Sequence, residues 1–324
     1  MNKMIGLKDK YKDYFKIGAA VSTRTIETHA ELLKAHFNCL TCENETKFAS
    51  IQSIENSFNF KKSDKIVQFA RDNDFAMRGH TFTWHNQTPR WVFEDVTKEG
   101  LLERLRYHMQ IVGKRYEQDF YCWDVVNEAI EDKTGIFFRI SPWTKIIGED
   151  MMDYAFRFAK EILPNTALYY NDYNEALKPK RDKIYQAVKD MLDRGVPIDG
   201  VGLQCHWSIY EPSMKQIRKA IEKYAKLGLK LQVTEMDISV FSHTDHQRIE
   251  KPTERMLELQ AKAYGDAFAL FREYKDVIDC VTLWGVADDV TWLDNFPVYN
   301  RKNWPLLFDE EHQPKEALYR IMDF

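Results

Sequence analysis

The sequence predicts an α/β fold, a single (β/α)8 TIM barrel over residues 1–324. Three observations predict it. Short apolar runs rich in strand-forming residues alternate with longer stretches of helical periodicity along the whole chain, the pattern of parallel strands joined by crossover helices. Eight such runs are present, enough to close a barrel. Polar residues able to do chemistry recur where the runs end, and the C-terminal ends of barrel strands are where an active site is built.

The first expected strand, 16–21, follows a polar, Lys- and Asp-rich stretch, 1–15, without the apolar segment of an export signal. Helical spacing over 27–36 leads to a second strand at 37–41, and 63–71 leads to a third at 75–78. A helix over 99–115 precedes strand 121–126, one over 150–161 precedes 167–171, and one over 181–193 precedes 200–204. Helix 213–226, introduced by Pro212-Ser213 and stopped before Gly228, leads to strand 229–234; Gly195 marks the end of the helix before it. The longest helical stretch, 254–273, precedes the eighth strand at 280–283, and 315–321 closes the chain as a helix. No linker, repeat or low-complexity segment interrupts this order, so no appended module is expected.

Composition narrows the function. A 44% hydrophobic fraction supports a large core, while a net charge of −4 and a pI near 6.2 offer no electrostatic footprint for nucleic acid. No run approaches the roughly 18 consecutive apolar residues of a membrane span, so no membrane partner is expected. Five cysteines, Cys39, Cys42, Cys122, Cys205 and Cys280, form an odd set without a disulfide framework; with the polar N-terminus, this points to a cytoplasmic location. Cys39-x-x-Cys42 falls in an expected strand, where residues three apart face opposite sides, so it reads as two small buried hydrophobes rather than a redox or metal pair. Aromatic residues reach 14%, with eight Trp; most serve the core, and those beside polar motifs are candidate stacking platforms.

Two carboxylates carry the chemistry. Glu128 closes Trp123-Asp124-Val125-Val126-Asn127-Glu128, and Glu235 closes the run 229–235, so different strands deliver both to one end of the barrel. Such a pair can flank one bond, and a glycosidic bond is the obvious candidate. An ion pair with a helix Lys or Arg would explain a single strand-end Glu, but explains two in this setting less well. Other polar groups gather at the same end: Glu43, Asn44 and Lys47 after the second strand, His80, Trp84 and His85 after the third, and Asn171 and Tyr173 after the fifth. Gln204 and His206 follow the sixth, Asp237 the seventh and Trp284 the eighth.

The ordered set formed by these residues, with Gly79-His80-Thr81, Tyr170-Asn171-Asp172-Tyr173-Asn174, Gly202-Leu203-Gln204-Cys205-His206, Val233-Thr234-Glu235-Met236-Asp237 and Thr291-Trp292-Leu293, resembles glycoside hydrolase family 10, the endo-β-1,4-xylanases. It is most similar to the compact intracellular members that carry no signal. The resemblance covers nearly the whole chain and implies retaining cleavage of β-1,4-xylosidic bonds in xylan or xylooligosaccharides, with no metal or organic cofactor. It makes Glu128 the acid/base and Glu235 the nucleophile. It places Asn127 on the 2-hydroxyl of the cleaved sugar, His206 on Glu235 with Asp237 behind it, and Gln204 and His80 in the same subsite. Glu43, Asn44 and Lys47 would grip the glycone sugars, Trp84, Trp284 and Trp292 would wall the cleaved sugar, and Tyr173 would meet the aglycone. Trp292 is the expected guard against a hydroxymethyl group at C5. The chain departs from the family pattern at Thr81-Phe82-Thr83, at Cys42 and at Thr46. Two rivals remain: a metal-dependent hydrolase using His80, His85, His206 and Glu235, and a sugar-binding module without catalysis. The presence of both carboxylates argues against the second. His29, His36, His108, His243, His246 and His312 are assigned no role.

Overall fold

Eight parallel strands close on themselves in the computed structural model, which describes residues 5–324. Among the described residues the strands are β1 (Lys16–Val21), β2 (Cys39–Cys42), β3 (Ala76–Trp84), β4 (Phe120–Asn127), β5 (Ala167–Asp172), β6 (Gly200–Leu203), β8 (Lys230–Ser239) and β9 (Ile278–Leu283) in the ring, with the short β7 (His206–Ser208) added beside β8. The ring runs β1-β2-β3-β4-β5-β6-β8-β9 and returns to β1 through the Gly18–Thr282 register. This is the expected (β/α)8 barrel. Its strands read as nearly unbroken apolar runs because side chains on one face fill the interior and those on the other meet the surrounding helices. Helix Met151–Ile162 shows the outer half of that arrangement, burying Met151, Met152, Ala155, Phe156, Ala159 and Ile162 along one stripe.

The structure corrects the expected elements where polar residues entered a strand. Strands β3 and β8 run to Trp84 and Ser239, well past the expected ends at 78 and 234, because the neighbouring ladder continues: Trp84 pairs with Asn127, and His206 with Asp237. His80, Trp84, Asn127, Glu235 and Asp237 therefore sit inside the last turns of strands, not after them. The expected sixth strand breaks at Gln204-Cys205, where Cys205 has φ 59°, and resumes as the short β7. The expected helix 27–36 is likewise divided at His29 into Thr25–Thr28 and Ala30–His36.

Of the polar stretch 1–15, Met1–Met4 lie outside the described residues. The remainder is not merely solvated: Leu7, Tyr11 and Phe15 are buried, and the Tyr11 ring stacks on Phe15 at 5.2 Å and meets Phe268 at 5.3 Å. All five cysteines are free and buried, and Cys39 and Cys42 both lie in β2. Among the described residues, no helix is long and apolar enough to cross a membrane.

Candidate active site

Strand β4 delivers Glu128 through a turn that few side chains adopt. Its φ of 58° is left-handed, and the conformation is held at both peptide groups: its N–H donates to Asn171 O at 2.9 Å and its C=O accepts from Arg139 Nε at 2.9 Å. The carboxylate accepts from Trp84 Nε1 (2.9 Å, Oε2) and Gln204 Nε2 (3.1 Å, Oε1), while His85 Nδ1 lies 3.9 Å away. Burial is the largest influence on its proton affinity and raises it; the two N–H donors pull the other way, and the negative Glu235 adds to the rise. Glu128 is thereby prepared to hold a proton.

Glu235, in β8, has a different setting. Asn171 Nδ2 donates to Oε1 at 2.6 Å, and His206 Nε2 lies 3.2 Å from Oε2. Burial would raise its proton affinity, yet His80 when charged, the His206 imidazolium and the Arg78 guanidinium together hold it at about 2. Because burial lowers the proton affinity of His80, His206 and Arg78 carry most of this effect at neutral pH. His206 is itself kept charged: burial opposes it, but Asp237 Oδ1, 3.0 Å from Nδ1, and Glu235 on the other side hold it up to about 10. Trp292 Nε1 donates to the second Asp237 oxygen at 2.8 Å, tying a loop residue into the same chain of contacts.

Three amides bridge the two carboxylates. The Asn127 side-chain amide lies 2.9 Å from Asn171 Nδ2 and 3.1 Å from Gln204 Nε2, and those two residues contact Glu235 and Glu128 respectively. Beneath them, fully buried Arg78 donates to Asp124 Oδ2 (2.5 Å) and to Thr234 O (3.0 Å), and His80 Nδ1 meets the same Asp124 oxygen at 2.8 Å. The donor atoms of His80, Asp124 and Glu235 cluster as a metal set would, but Arg78 supplies the cation there.

The expected sugar-binding residues surround this pair. Lys47 Nζ donates to Asn44 Oδ1 at 3.2 Å and sits over the Trp84 ring at 4.8 Å, and Glu43, whose proton affinity burial raises, feels both Lys47 and Glu235. Trp284 packs edge-on to His80 at 5.3 Å, and Trp292 lies 4.9 Å from His206. Tyr173 is drawn in from the far side: its hydroxyl meets Asp132 and accepts from Arg139 Nη2 at 2.6 Å, and Lys180 Nζ stands 4.0 Å over its ring. Every expected site residue thus converges on one end of the barrel.

Sequence reasoning missed Arg78, Asp124, Arg139 and Asp132, and noted Asn171 without giving it a role. Arg78 and Asp124 had a usable signal, since a charge inside an apolar strand run is rarely buried without a partner. Arg139 and Asp132 lie in the irregular connection after β4, where no periodicity marks them.

Neighbouring carboxylates with opposed proton affinities suit acid-assisted displacement at an acetal carbon, the chemistry of glycoside hydrolases. The family described as glycosyl hydrolase family 10 matches residues 6–324, and the chain belongs to that family. It is 52% identical to endo-1,4-beta-xylanase A of Caldicellulosiruptor saccharolyticus, over 99% of this chain and 96% of that one. The crystal structure of xylanase XynB from Paenibacillus barcinonensis, complexed with a conduramine derivative, is 49% identical, with a TM-score of 0.98 over 99% of both chains. A mutant structure in complex with xylotriose is 50% identical, with a TM-score of 0.98 over 99% of this chain and 100% of that one.

Proposed function

We propose that this chain hydrolyses internal β-1,4-xylosidic bonds of xylan-derived chains with net retention, Glu128 acting as acid/base and Glu235 as nucleophile. The observation that carries the reading is the asymmetry of the pair: cationic His206 and Arg78 attend Glu235, whereas neutral N–H donors attend Glu128. In the first step Glu235 attacks the anomeric carbon as Glu128 protonates the departing oxygen, giving a glycosyl ester. The ester removes the negative charge that helped keep Glu128 protonated, so Glu128 then takes a proton from the attacking water. Asn127, whose amide lies between those of Asn171 and Gln204, would hold a sugar hydroxyl through both steps.

Xylotriose bound to a structure 50% identical supports the substrate class. The finer part of the proposal is that the enzyme works in the cytoplasm on short imported xylooligosaccharides, a setting that suits five buried thiols. On that reading kcat/KM rises from xylobiose to a short oligomer and then levels off.

Leaving-group dependence tests the roles. Glu128→Ala should lose activity on xylooligosaccharides but still form the intermediate from an activated aryl xylobioside, with added azide accelerating turnover and yielding a β-glycosyl azide. Glu235→Ala should lose both substrates. Identical behaviour of the two variants would refute the assignment.

A further inference from the structure

Away from the active site, two histidines from distant parts of the chain aim at one carboxylate oxygen. His29, at the junction of helices Thr25–Thr28 and Ala30–His36, has Nε2 2.8 Å from Asp289 Oδ1; His312, in the turn before the last helix, has Nε2 3.5 Å from the same atom. Their rings lie 4.2 Å apart, and all three donor atoms fall within 4.8 Å of one another.

The hydrogen bonding of His29 allows Nε2 to act as a ligand. Thr28 Oγ1 donates to Arg24 O at 3.2 Å, and a hydroxyl has one proton to give. His29 Nδ1 lies 2.7 Å from that same oxygen, and when the hydroxyl proton goes to Arg24 the ring nitrogen is the donor of their contact. In that tautomer the Nε2 lone pair faces a carboxylate oxygen, an arrangement that a cation between them completes. A proton would satisfy His29 and Asp289, but it would give the second imidazole no reason to face the same oxygen.

We propose that His29, Asp289 and His312 bind a divalent transition-metal cation of the zinc type. Two imidazoles and a carboxylate form a ligand set that zinc accepts, with water completing the shell. Ligand atoms around tetrahedral zinc at about 2.1 Å stand about 3.4 Å apart, so small side-chain rotations suffice to reach that spacing. The histidines are already oriented: His29 through Thr28, and His312 by a turn in which Asp309 Oδ1 accepts from Glu311 N (3.0 Å) and Gln313 N (2.7 Å). Asp289 and His312 are part-exposed, with side chains 25% and 32% accessible, which gives the ion an entry path. Bound metal would cross-link the helices on either side of His29, the loop after β9 and the turn before the last helix.

The test uses the tag-free full chain stripped with EDTA, titrated with zinc chloride by calorimetry beside His312→Ala and Asp289→Asn. The wild type should take one zinc equivalent that both variants bind about tenfold or more weakly. Zinc should raise its Tm and not theirs, and cobalt(II) should give it a visible absorption band absent from His312→Ala. Xylan hydrolysis in chelator should be the same in wild type and His312→Ala, because the site is separate from the catalytic groups. A metal taken up at the active-site cluster would appear equally in all three chains and cancel in the comparison. Identical zinc isotherms for the three chains, or no zinc uptake by the wild type, would overturn the proposal and leave the xylanase reading untouched.

Discussion

Trp292 combines two roles that substitutions can separate. Its ring stands 4.9 Å from His206, and its N–H holds Asp237, the carboxylate that keeps His206 charged. Trp292→Phe retains much of the wall and loses the N–H, whereas Trp292→Ala loses both. If the wall excludes a hydroxymethyl group, the ratio of aryl cellobioside to aryl xylobioside cleavage should rise several-fold in the alanine variant and little in the phenylalanine variant. An unchanged ratio in both would locate discrimination elsewhere. Asp237→Asn probes the electrostatics behind the wall. Without that carboxylate His206 loses its charge at lower pH on the alkaline side, whereas the acidic limb of kcat/KM, where His206 is protonated with or without Asp237, should not move up. An acidic limb that moved up by roughly a unit or more would show that His206 depends on Asp237 for its charge even at acid pH. The same groups set a stability window. Glu235, at about 2, contributes stability above its unfolded value near 4.3 that disappears as pH falls toward 2; His206, at about 10, contributes below its unfolded value near 6.5 and loses that as pH rises through 10. Urea midpoints should therefore be highest between about pH 5 and 6.5 and fall on either side, with a shallower alkaline fall in Asp237→Asn. A midpoint that kept rising above pH 8 would contradict this account.

Strand β3 shows how an element can be both a packing unit and a platform for chemistry. Gly79 lies one residue before His80, and a Cβ there would fall 2.1 Å from Trp123 Cδ2, in a ring fully buried and stacked on Phe82 at 4.0 Å. Neither ring has room to retreat, so Gly79→Ala should cost about 3 kcal/mol in urea unfolding and lower kcat by displacing His80 and Arg78. A cost below about 1 kcal/mol would mean the barrel interior yields more easily than its packing implies. β3 also shows where sequence reading reaches its limit. Its apolar start at Ala76 and Met77, just after Phe75, was legible from hydrophobicity, and so was the approximate position of every barrel strand. Its continuation through His80 and Thr81 was not, because those polar side chains are buried by partners that local pattern does not reveal: Asp124 from β4 for His80, and the Asp124 carbonyl for Thr81. The candidate site residues were legible for a different reason. Chemistry demands particular side chains in order, and Glu128, Glu235, Asn127 and His206 kept that order along the sequence. Arg139, whose position depends on the path of an irregular loop, left no such trace, and neither did the left-handed φ of Glu128.

At the scale of the molecule, the barrel separates two ends with different duties. One carries the carboxylates; at the other, the segment before β1 meets the last residues of the chain. Lys10 Nζ donates to Phe324 O at 2.5 Å, Tyr11 OH donates to Ile321 O at 2.5 Å, and the Arg272 guanidinium lies 3.8 Å over the Phe324 ring. Closure of the sheet already makes the eighth ring strand a neighbour of the first, and these contacts bring the outer layer full circle as well. The protein is thus nearly a continuous loop of matter that happens to be cut at one point, and the cut can be moved. Joining the present ends by a short flexible linker and opening the chain at the exposed turn around Gly228, where helix Met214–Ala225 passes into β8, should give a circular permutant that folds and keeps xylanase activity with a modestly lower Tm. A permutant that failed to fold would show that the order in which these strands are made matters as much as where they finish.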